Sequence, residues 1–420
     1  MEKIDGIIRS SCVGYKDFPA HAGEVVEMKG IIHRIREMTG FAFVIIRTAR
    51  EVVQCVYSPD FSDYRMGEEV VEGCAVKLTG KIVKDETRED RYEMQIHGIE
   101  VLSSPAEQMP IVINKKQLDN IPLDLNLNMR PVTLRNPKER AVFKIQEGIA
   151  RGFRDFLHSQ GFTEIRTPKI NAQGAEGGAN IFRLDYFGKQ VFLAQSPQFY
   201  KQMLVPVYER VFEVGPVFRA EHHDTSRHLN EYISMDFEMG FIDSFYDIMN
   251  METGALKYIM NLLKSEYDAK EIITKKFKKK ITDYRDFEPE EEQLLGKWAK
   301  KEFDSDFLFV THYPSEKRPF YAMDDPADPN YTLSFDLLFR GIEITTGGQR
   351  IHDYNEQIAK MKARGMNPDD FESYLMAHKY GMPPHGGLGL GLERITMHLL
   401  GFKNVRNASM FPRDINRVTP

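Results

Sequence analysis

The sequence predicts an α+β protein with two domains, a small strand-rich barrel followed by a larger domain in which helices flank an antiparallel sheet. Five short runs rich in Val, Ile, Phe and Tyr lie within residues 24–103. Apolar and polar residues alternate over residues 231–241, which is the period of a strand. From residue 138 the apolar positions recur at three- and four-residue steps, as in a helix. We therefore expect a first domain over 1–103, a linker over 104–137 and a second domain over 138–420.

Composition excludes several classes of protein. Of the 420 residues, 42% are hydrophobic and 28% are charged, which is ordinary for a soluble globular chain. The net charge of −6 excludes a bulk polycation, so any nucleic-acid contact must come from local basic patches and stacking side chains. Cys12, Cys55 and Cys74 are too far apart for a thiolate zinc site or a disulfide framework. No run reaches the roughly 20 apolar residues of a membrane span, and the N-terminus has no secretory signal. We expect a cytoplasmic enzyme.

The five N-terminal runs predict a closed β-barrel. An OB-fold is the common five-stranded barrel, whereas an SH3-like barrel or a half-sandwich is the structural alternative. Phe41 and Phe43 alternate with Ala42 and Val44, so both phenylalanines share one face. Such an aromatic pair in a barrel is more often core than a platform on which nucleic-acid bases stack.

The segments around the barrel and the sheet are less distinctive. Residues 104–137 are rich in Pro, Asn and Asp, which is typical of a linker. A helix follows and ends near Gly161, and FTEIRTPKI then predicts a strand that Pro168 confines to a sheet edge. Two further helices are expected over residues 243–267 and 289–301. The basic run Lys275–Lys280 is either a solvated surface or a tRNA contact.

The most informative stretch is VFRAEHHDTSRHLNEYISMDFEMGF, residues 217–241. It predicts two antiparallel strands, the first over residues 211–221, joined by a long polar loop. One face carries Ile233 to Phe241 at alternate positions, and the other carries Arg219, Glu221, Asp236 and Glu238. Cations and carboxylates on one face suit a ligand with both charges, such as an amino acid with a nucleotide phosphate. A solvated face with surface ion pairs is the alternative.

FRAE followed by RHLNEYISMDFEM resembles the second signature motif of class II aminoacyl-tRNA synthetases. The resemblance extends over residues 25–420 and is strongest to aspartyl-tRNA synthetases of the archaeal and eukaryotic type. The helix, strand and proline before it resemble the first motif, which forms the homodimer interface, although an ordinary core helix with an edge strand has the same pattern. GGLGLGLERITMHLLG is by itself a weak phosphate-loop signal, but it matches the third motif of the class.

The resemblance implies which residues bind ATP and metal. Arg219 would hold the α-phosphate and Arg394 the γ-phosphate, as the catalytic cations. Asp336 and Glu343 bracket a predicted hairpin with Thr346 nearby, and their oxygen atoms suit Mg²⁺ bridging phosphates. Further ATP contacts are implied for Glu221, Arg227, His228, Tyr232 and Glu343.

The resemblance also implies an aspartate pocket. Lys201 and Arg350 would bind the side-chain carboxylate, and the asparaginyl relatives lack this lysine. Asp236 and Glu176 would hold the substrate ammonium, with Glu176 on a glycine-rich lid, GAEGGAN. Ser196 and Gln198, in LAQSPQFYKQM, complete the implied set.

On the barrel, the resemblance implies which residues contact the anticodon of the tRNA. Phe43 would stack on an anticodon base, while Gln54 and Glu93 would form hydrogen bonds with bases. At the position of His33, relatives that charge only the aspartate tRNA tend to carry Trp, whereas relatives that also charge the asparagine tRNA tend to carry His. A second position, near Glu89, is often Lys in the selective relatives. His33 could equally be an ordinary strand residue at the barrel edge.

The sequence therefore predicts an aspartate–tRNA ligase that uses ATP and Mg²⁺, acts on tRNA(Asp) and forms a homodimer. Whether tRNA(Asn) is also charged stays open, with His33 favouring that it is. The enzyme alternatives are an asparaginyl and, more distantly, a lysyl enzyme. A catalytically silent RNA-binding paralogue is the remaining alternative, and the joint presence of Arg219, Glu343, Arg350 and Arg394 argues against it.

Overall fold

The computed structural model describes residues 12–49, 51–85, 91–114, 118, 121–174, 180–222, 224–267 and 289–420. Glu89, Glu176 and the run Lys275–Lys280 lie outside these residues. The chain divides into two compact units, residues 1–122 with 131–139 and residues 123–130 with 140–420. The boundaries expected from the sequence, at residues 103 and 137, stay predictions.

The first unit contains a closed five-stranded barrel, as the sequence predicts. Its strand order is β1-β2-β3-β5-β4, antiparallel except for the parallel pair β3 and β5. Residues facing inward alternate along each strand, so that Ala42, Val44 and Ile46 are buried. The strands are β1 (Val25–Met38), β2 (Phe41–Arg47), β3 (Val52–Tyr57), β4 (Ala75–Lys84) and β5 (Tyr92–Ser103).

The second unit is built on a sheet to which seven strands contribute within the described residues. Its order is β12-β13-β14-β15-β11-β10-β6, and a separate small sheet has the order β7-β9-β8. The strands are β6 (Thr163–Glu164), β7 (Ile170–Asn171), β8 (Arg183–Tyr186), β9 (Lys189–Leu193), β10 (Arg210–Phe218), β11 (Glu231–Gly240), β12 (Phe307–Thr311), β13 (Ser334–Phe339), β14 (Glu343–Arg350) and β15 (His385–Gly391).

Helices cover one face of the larger sheet. Apolar side chains of α3 and α6 pack with Phe212, Met235 and Phe237 in the main core, and Ser244 and Asp247 form a capping box at the start of α6. The helices are α1 (Leu123–Asn128), α2 (Arg130–Thr133), α3 (Pro137–Ser159), α4 (Gln198–Met203), α5 (Val205–Tyr208), α6 (Phe245–Glu266), α7 (Pro289–Phe303), α8 (Tyr354–Ala363), α9 (Glu372–Lys379) and α10 (Leu392–Leu400).

The predicted strand pair around residues 211–241 forms, with one correction. Strand β10 ends at Phe218, so Arg219 and Glu221 lie in the loop after the strand and not on its face. The face of Asp236 and Glu238 is buried rather than solvated, with 2% and 0% of these residues exposed. The alternation along β11 separates two faces, but both are covered, because α3 and α6 pack on one and charged side chains of other elements meet the other.

FTEIRTPKI does not form one interrupted strand. Its first part is β6, at the edge of the larger sheet as expected, and its second part is β7 in the small sheet. The larger sheet is also not purely antiparallel, since β6 and β10 are parallel. A parallel pair needs a long connection, and the small sheet with α4 and α5 provides it.

The glycine-rich run before α10 is a central strand, β15, and not a loop. Its neighbours are β14 and β11, and both approach it closely. A Cβ atom on Gly387 would lie 2.1 Å from the Phe237 carbonyl oxygen, so that this position accepts only glycine.

We expect Gly387→Ala to destabilise the second unit by about 1–3 kcal/mol, the usual range for overpacking a core. Gly391→Ala in the same strand is the matched control, because its Cβ would meet Arg394 Cβ at an ordinary 3.5 Å. Urea unfolding of both variants measures the difference. Equal midpoints would show that β15 can shift to accept a methyl group.

Candidate active site

The face of the larger sheet opposite α3 and α6 carries a cleft of about 450 Å³. Strands β11, β14 and β15, the start of α4, the loop after β10 and the start of α10 all contribute to its walls. The side chains singled out from the sequence that line this cleft are Ser196, Gln198, Lys201, Arg219, Glu221, Arg227, His228, Tyr232, Asp236, Glu343, Thr346, Arg350 and Arg394. Ser196 and Arg394, which are 198 positions apart in the chain, thus meet in one place.

One end of the cleft contains a buried cluster of four charges. Lys201 Nζ lies 3.0 Å from Asp236 Oδ1 and 3.3 Å from Glu238 Oε2, and it donates to the Leu388 carbonyl oxygen at 2.8 Å. Arg350 Nε donates to Glu238 Oε1 at 3.0 Å. Glu238 is therefore a bridge between the two cations, which stand side by side.

Electrostatics keep Glu238 and Arg350 of this cluster ionised. Burial would raise the pKa of Glu238, but the positive charges of Arg350 and Lys201 hold it below its ordinary value. Burial lowers and Glu238 raises the pKa of Arg350, and the net direction is upward. The two cations of the cluster are thus held in place by the two carboxylates, Asp236 and Glu238. A ligand that brings a further carboxylate would meet cations whose positions are already fixed.

The cleft also contains a second group of charges, in which Arg219 and Arg394 lie near Glu343. Arg219 lies over the Tyr232 ring, with its guanidinium carbon 6.0 Å from the ring centroid. Arg394 Nη1 lies 3.3 Å from Glu343 Oε1 and donates to the Glu343 carbonyl oxygen at 3.2 Å. Guanidinium groups at a partly open cleft suit the oxygens of a phosphate chain.

The predicted metal ligands lie on adjacent strands. Asp336 of β13 is directly opposite Thr346 of β14, and Thr346 Oγ1 donates to Glu343 Oε1 at 3.2 Å. Asp336 does not line the cleft itself and is paired with Arg318 at 2.8 Å. Across the described ranges, no cluster of three or more His, Cys, Asp and Glu side chains forms a metal site. Two carboxylates and a hydroxyl nevertheless fit Mg²⁺, which takes few protein ligands when phosphates supply the others.

The two acidic groups at this site differ in proton affinity. Burial, and then the charge of Glu343, raise the pKa of Asp336 to about 6, against the opposing effect of Arg318. For Glu343 the desolvation in the cleft is outweighed by Arg394, Arg318 and Arg219, which hold its pKa below the ordinary value. Glu343 therefore stays charged to a lower pH than Asp336 does.

The barrel carries the remaining predicted residues. Phe41 and Phe43 point outward, not into the core, with ring centroids 5.2 Å apart in an edge-to-face arrangement. Gln54 Nε2 donates to Glu93 Oε1 on the outer surface. His33 lies where the pairing of β1 with β2 shifts register, and it is 7% exposed.

Two functional candidates, Arg36 and Arg318, escaped the sequence analysis, and the role of a third residue was not visible in it. The register of β1 and β2 puts Arg36 directly opposite Phe43, so that a cation lies beside this half-buried, outward-facing ring. Arg318 lines the cleft and pairs with Asp336. Glu238 was placed on the correct strand face by its alternation with Asp236, but only the fold shows that it joins Lys201 to Arg350.

The family comparisons agree with this geometry. Residues 122–415 match the model of class II tRNA synthetases (D, K and N), and residues 26–102 match an OB-fold nucleic-acid-binding domain. The solved structure of asparaginyl-tRNA synthetase from Pyrococcus horikoshii, complexed with asparaginyl-adenylate, is similar with a TM-score of 0.87 and 28% identity. That match covers 96% of this chain and 98% of the other. The fold and cleft are those of a class II aminoacyl-tRNA synthetase.

Two curated relatives narrow the class. The aspartate–tRNA(Asp/Asn) ligase of Thermus thermophilus is 44% identical over 96% of this chain and 99% of its own length. The aspartate–tRNA(Asp) ligase of Pyrococcus horikoshii is 36% identical over 95% of this chain and 97% of its own. The chain belongs to the aspartate–tRNA ligase family.

A buried histidine beside the charge cluster makes stability depend on pH. His385 is fully buried, and its ring nitrogens face the Pro383 carbonyl oxygen and Gln202 Oε1. Burial lowers its pKa from 6.5 to about 4, against the attraction of Glu238. Between these two values the unfolded chain binds one proton more than the folded chain.

We therefore expect stability to fall as pH drops from 6.5 towards 4, with His385 contributing up to about 1.4 kcal/mol per pH unit. Above 6.5 this contribution should be constant. Urea unfolding at several pH values in this window should give a shallower slope for His385→Gln than for the unchanged protein. Identical slopes would mean that His385 is charged in the folded state.

Proposed function

We propose that the protein activates L-aspartate with ATP to form aspartyl-adenylate and then transfers the aspartyl group to the 3′ end of tRNA(Asp). The observation that carries this proposal is the pair of buried cations, Lys201 and Arg350, in the same cleft as Arg219 and Arg394. A side-chain carboxylate needs the first pair, and the ATP phosphates need the second.

The residues act by positioning and by charge. The α-carboxylate oxygen of aspartate attacks the α-phosphorus, and the bond to pyrophosphate breaks. Arg219 neutralises charge on the α-phosphate and Arg394 holds the γ-phosphate, so that the reacting atoms stay in line. Tyr232 stacks on adenine, and Glu221, Arg227 and His228 hold the nucleotide from the loop. In the second step a terminal tRNA hydroxyl attacks the acyl carbon and AMP leaves.

The substrate amino acid is held by the buried cluster and its surroundings. Lys201 and Arg350 bind the side-chain carboxylate, while Asp236 and Glu176 hold the ammonium. Ser196 and Gln198 complete the pocket wall. Glu238 keeps the two cations in place, because it contacts both of them. An amide side chain offers no negative charge to this pair, which is the physical basis for preferring aspartate over asparagine.

Magnesium is proposed as the cofactor. Asp336, Glu343 and Thr346 would hold it, and when bound it would neutralise charge on the phosphates of ATP. Because Asp336 forms an ion pair with Arg318, Glu343 is the carboxylate that is more available to the metal ion.

The oligomeric state and the cellular location are also proposals. We propose a homodimer formed through α3 and β6, which correspond to the first class II motif and leave β6 as a sheet edge. No helix among the described residues is both long and apolar enough to cross a membrane. We propose that the enzyme works in the cytoplasm, where its tRNA substrates are found.

The amino-acid specificity is tested with Lys201→Met. We expect this variant to lose aspartate-dependent exchange of pyrophosphate into ATP, since an unpaired buried charge costs roughly 3–5 kcal/mol. Lys189→Met, at an exposed position of β9, is the matched control and should behave like the unchanged protein. ATP binding by calorimetry distinguishes a lost pocket from an unfolded chain. Normal aspartate activation by Lys201→Met would place the lysine outside the pocket.

The tRNA range is tested by charging two purified tRNAs with aspartate. We expect both tRNA(Asp) and tRNA(Asn) to be charged, because a His33 side chain leaves more room beside the last anticodon base than a Trp would. His33→Trp should favour tRNA(Asp). Exclusive charging of tRNA(Asp) by the unchanged protein would refute the wider range.

Phe43→Ala should weaken the binding of both tRNAs by about 1–3 kcal/mol, the contribution of one base–aromatic stack, without changing adenylate formation.

A further inference from the structure

The loop between β10 and β11 carries four of the proposed ATP contacts, of which Arg227 and His228 lie in its second half. Residues 224–226 are exposed, and Arg227 and His228 are only partly buried. Within the loop, Thr225 Oγ1 lies 2.5 Å from His228 Nδ1 and accepts from the Arg227 amide at 3.3 Å. These bonds shape a turn but do not attach it to the rest of the unit.

The attachment comes from the C-terminal segment, residues 402–417. Arg406 Nη2 donates to Asp224 Oδ1 at 2.5 Å, and its Nη1 donates to the Thr225 carbonyl oxygen at 3.1 Å. The amide of Val405 donates to the Ser226 carbonyl oxygen at 2.8 Å. Three consecutive loop residues are therefore held from one short stretch of chain.

Arg406 is itself held firmly. It is 7% exposed, and its Nε donates to Asp414 Oδ2 at 2.5 Å. Although burial opposes the charge of Asp414, the hydrogen bond from Arg406 keeps the pKa of this carboxyl below its ordinary value. Asn416 Nδ2 donates to Asp224 Oδ2 at 2.9 Å, so Asp224 is bound from two sides.

The far end of the loop is anchored by the same segment. The amide of Asn230 donates to the Arg413 carbonyl oxygen at 2.8 Å. Leu229 is buried in a small cluster with Met397, Val405 and Ala408. The segment thus contacts the loop before and after Arg227 and His228. These two residues line the cleft.

We propose that Arg406 is a positioning residue for ATP, which fixes the turn at residues 224–228 so that Arg227 and His228 face the nucleotide. The inference rests on the proposed function, because that function makes the loop an ATP contact. Arg406 does not touch the cleft and acts only through Asp224 and Thr225. A guanidinium is suited to this task, since its planar fork serves three acceptors in one plane.

The test compares Arg406→Met and Asp224→Asn in aspartate-dependent exchange of pyrophosphate into ATP. We expect the KM for ATP to rise about ten- to a hundredfold in Arg406→Met, in the range known for remote misplacement of a binding group. Asp224→Asn, at an exposed loop position, should give a smaller rise in the same direction without affecting folding. The KM for aspartate should not change in either variant, because Lys201 and Arg350 lie on other elements.

Two controls decide the result. The double variant should be no worse than Arg406→Met alone if both residues act through one contact. Asp328→Asn removes a charge from another exposed loop and should leave both KM values unchanged. An unchanged KM for ATP in both single variants overturns the inference. The inference is also overturned if Arg406→Met loses affinity for ATP and for aspartate to the same extent while Asp224→Asn behaves like the unchanged protein. That result would mean that Arg406 only stabilises the fold.

Failure of the proposed function is recognised separately. Direct titration with ATP by calorimetry needs no amino acid, so the loss of ATP affinity in Arg406→Met is measurable even if aspartate is not the substrate. Weaker ATP binding in that variant supports the positioning role. Absence of aspartate-dependent exchange in the unchanged protein refutes the substrate and leaves this measurement intact.

Discussion

The second unit depends on one buried electrostatic arrangement, in which Glu238 lies between Lys201 and Arg350. A carboxylate with no exposed surface is tolerated only if it is paired, and here Glu238 Oε1 accepts a hydrogen bond from Arg350 while Oε2 lies 3.3 Å from Lys201 Nζ. Neither cation could be buried without a carboxylate partner. The hydrogen bonds and ion pairs of this cluster therefore connect α4, β11, β14 and β15. The residues proposed to bind the substrate carboxylate thus also stabilise the packing of these four elements.

The glycines of β15 follow from the same constraint. Arg350 donates to the Gly387 carbonyl oxygen and Lys201 to that of Leu388, so the backbone of β15 supplies acceptors to both cations. A side chain at Gly387 would meet the neighbouring strand before these contacts could form. Glycine usually weakens a central strand, so that such strands tend to lack it. In β15 it is needed because the neighbouring backbone lies so close, and the strand is therefore less stable than one without glycine.

The two ends of the cleft are built in different ways. The buried cluster stands on α4 and on strands β11 and β14, whereas the proposed nucleotide contacts stand partly on a loop that residues 402–417 contact. A site on strands is positioned by the sheet register, but a site on a loop needs partners from elsewhere in the chain. Arg406 is such a partner, since it lies 182 positions beyond Asp224, which it holds, and Asp414 in turn holds Arg406.

The barrel, the strand period of β11 and the helix α3 were predictable from the sequence, because each depends on the local alternation of apolar and polar residues. The end of β10, the separation of β6 from β7 and the outward direction of Phe43 were not, since these depend on which partners the neighbouring strands offer. The resemblance to a family named residues such as Lys201 and Arg350 as a set, but not their contacts. The partners of Glu238 and the role of Arg406 were recognisable only in the tertiary structure, because a charged residue reveals its role through partners that are distant in sequence and adjacent in space.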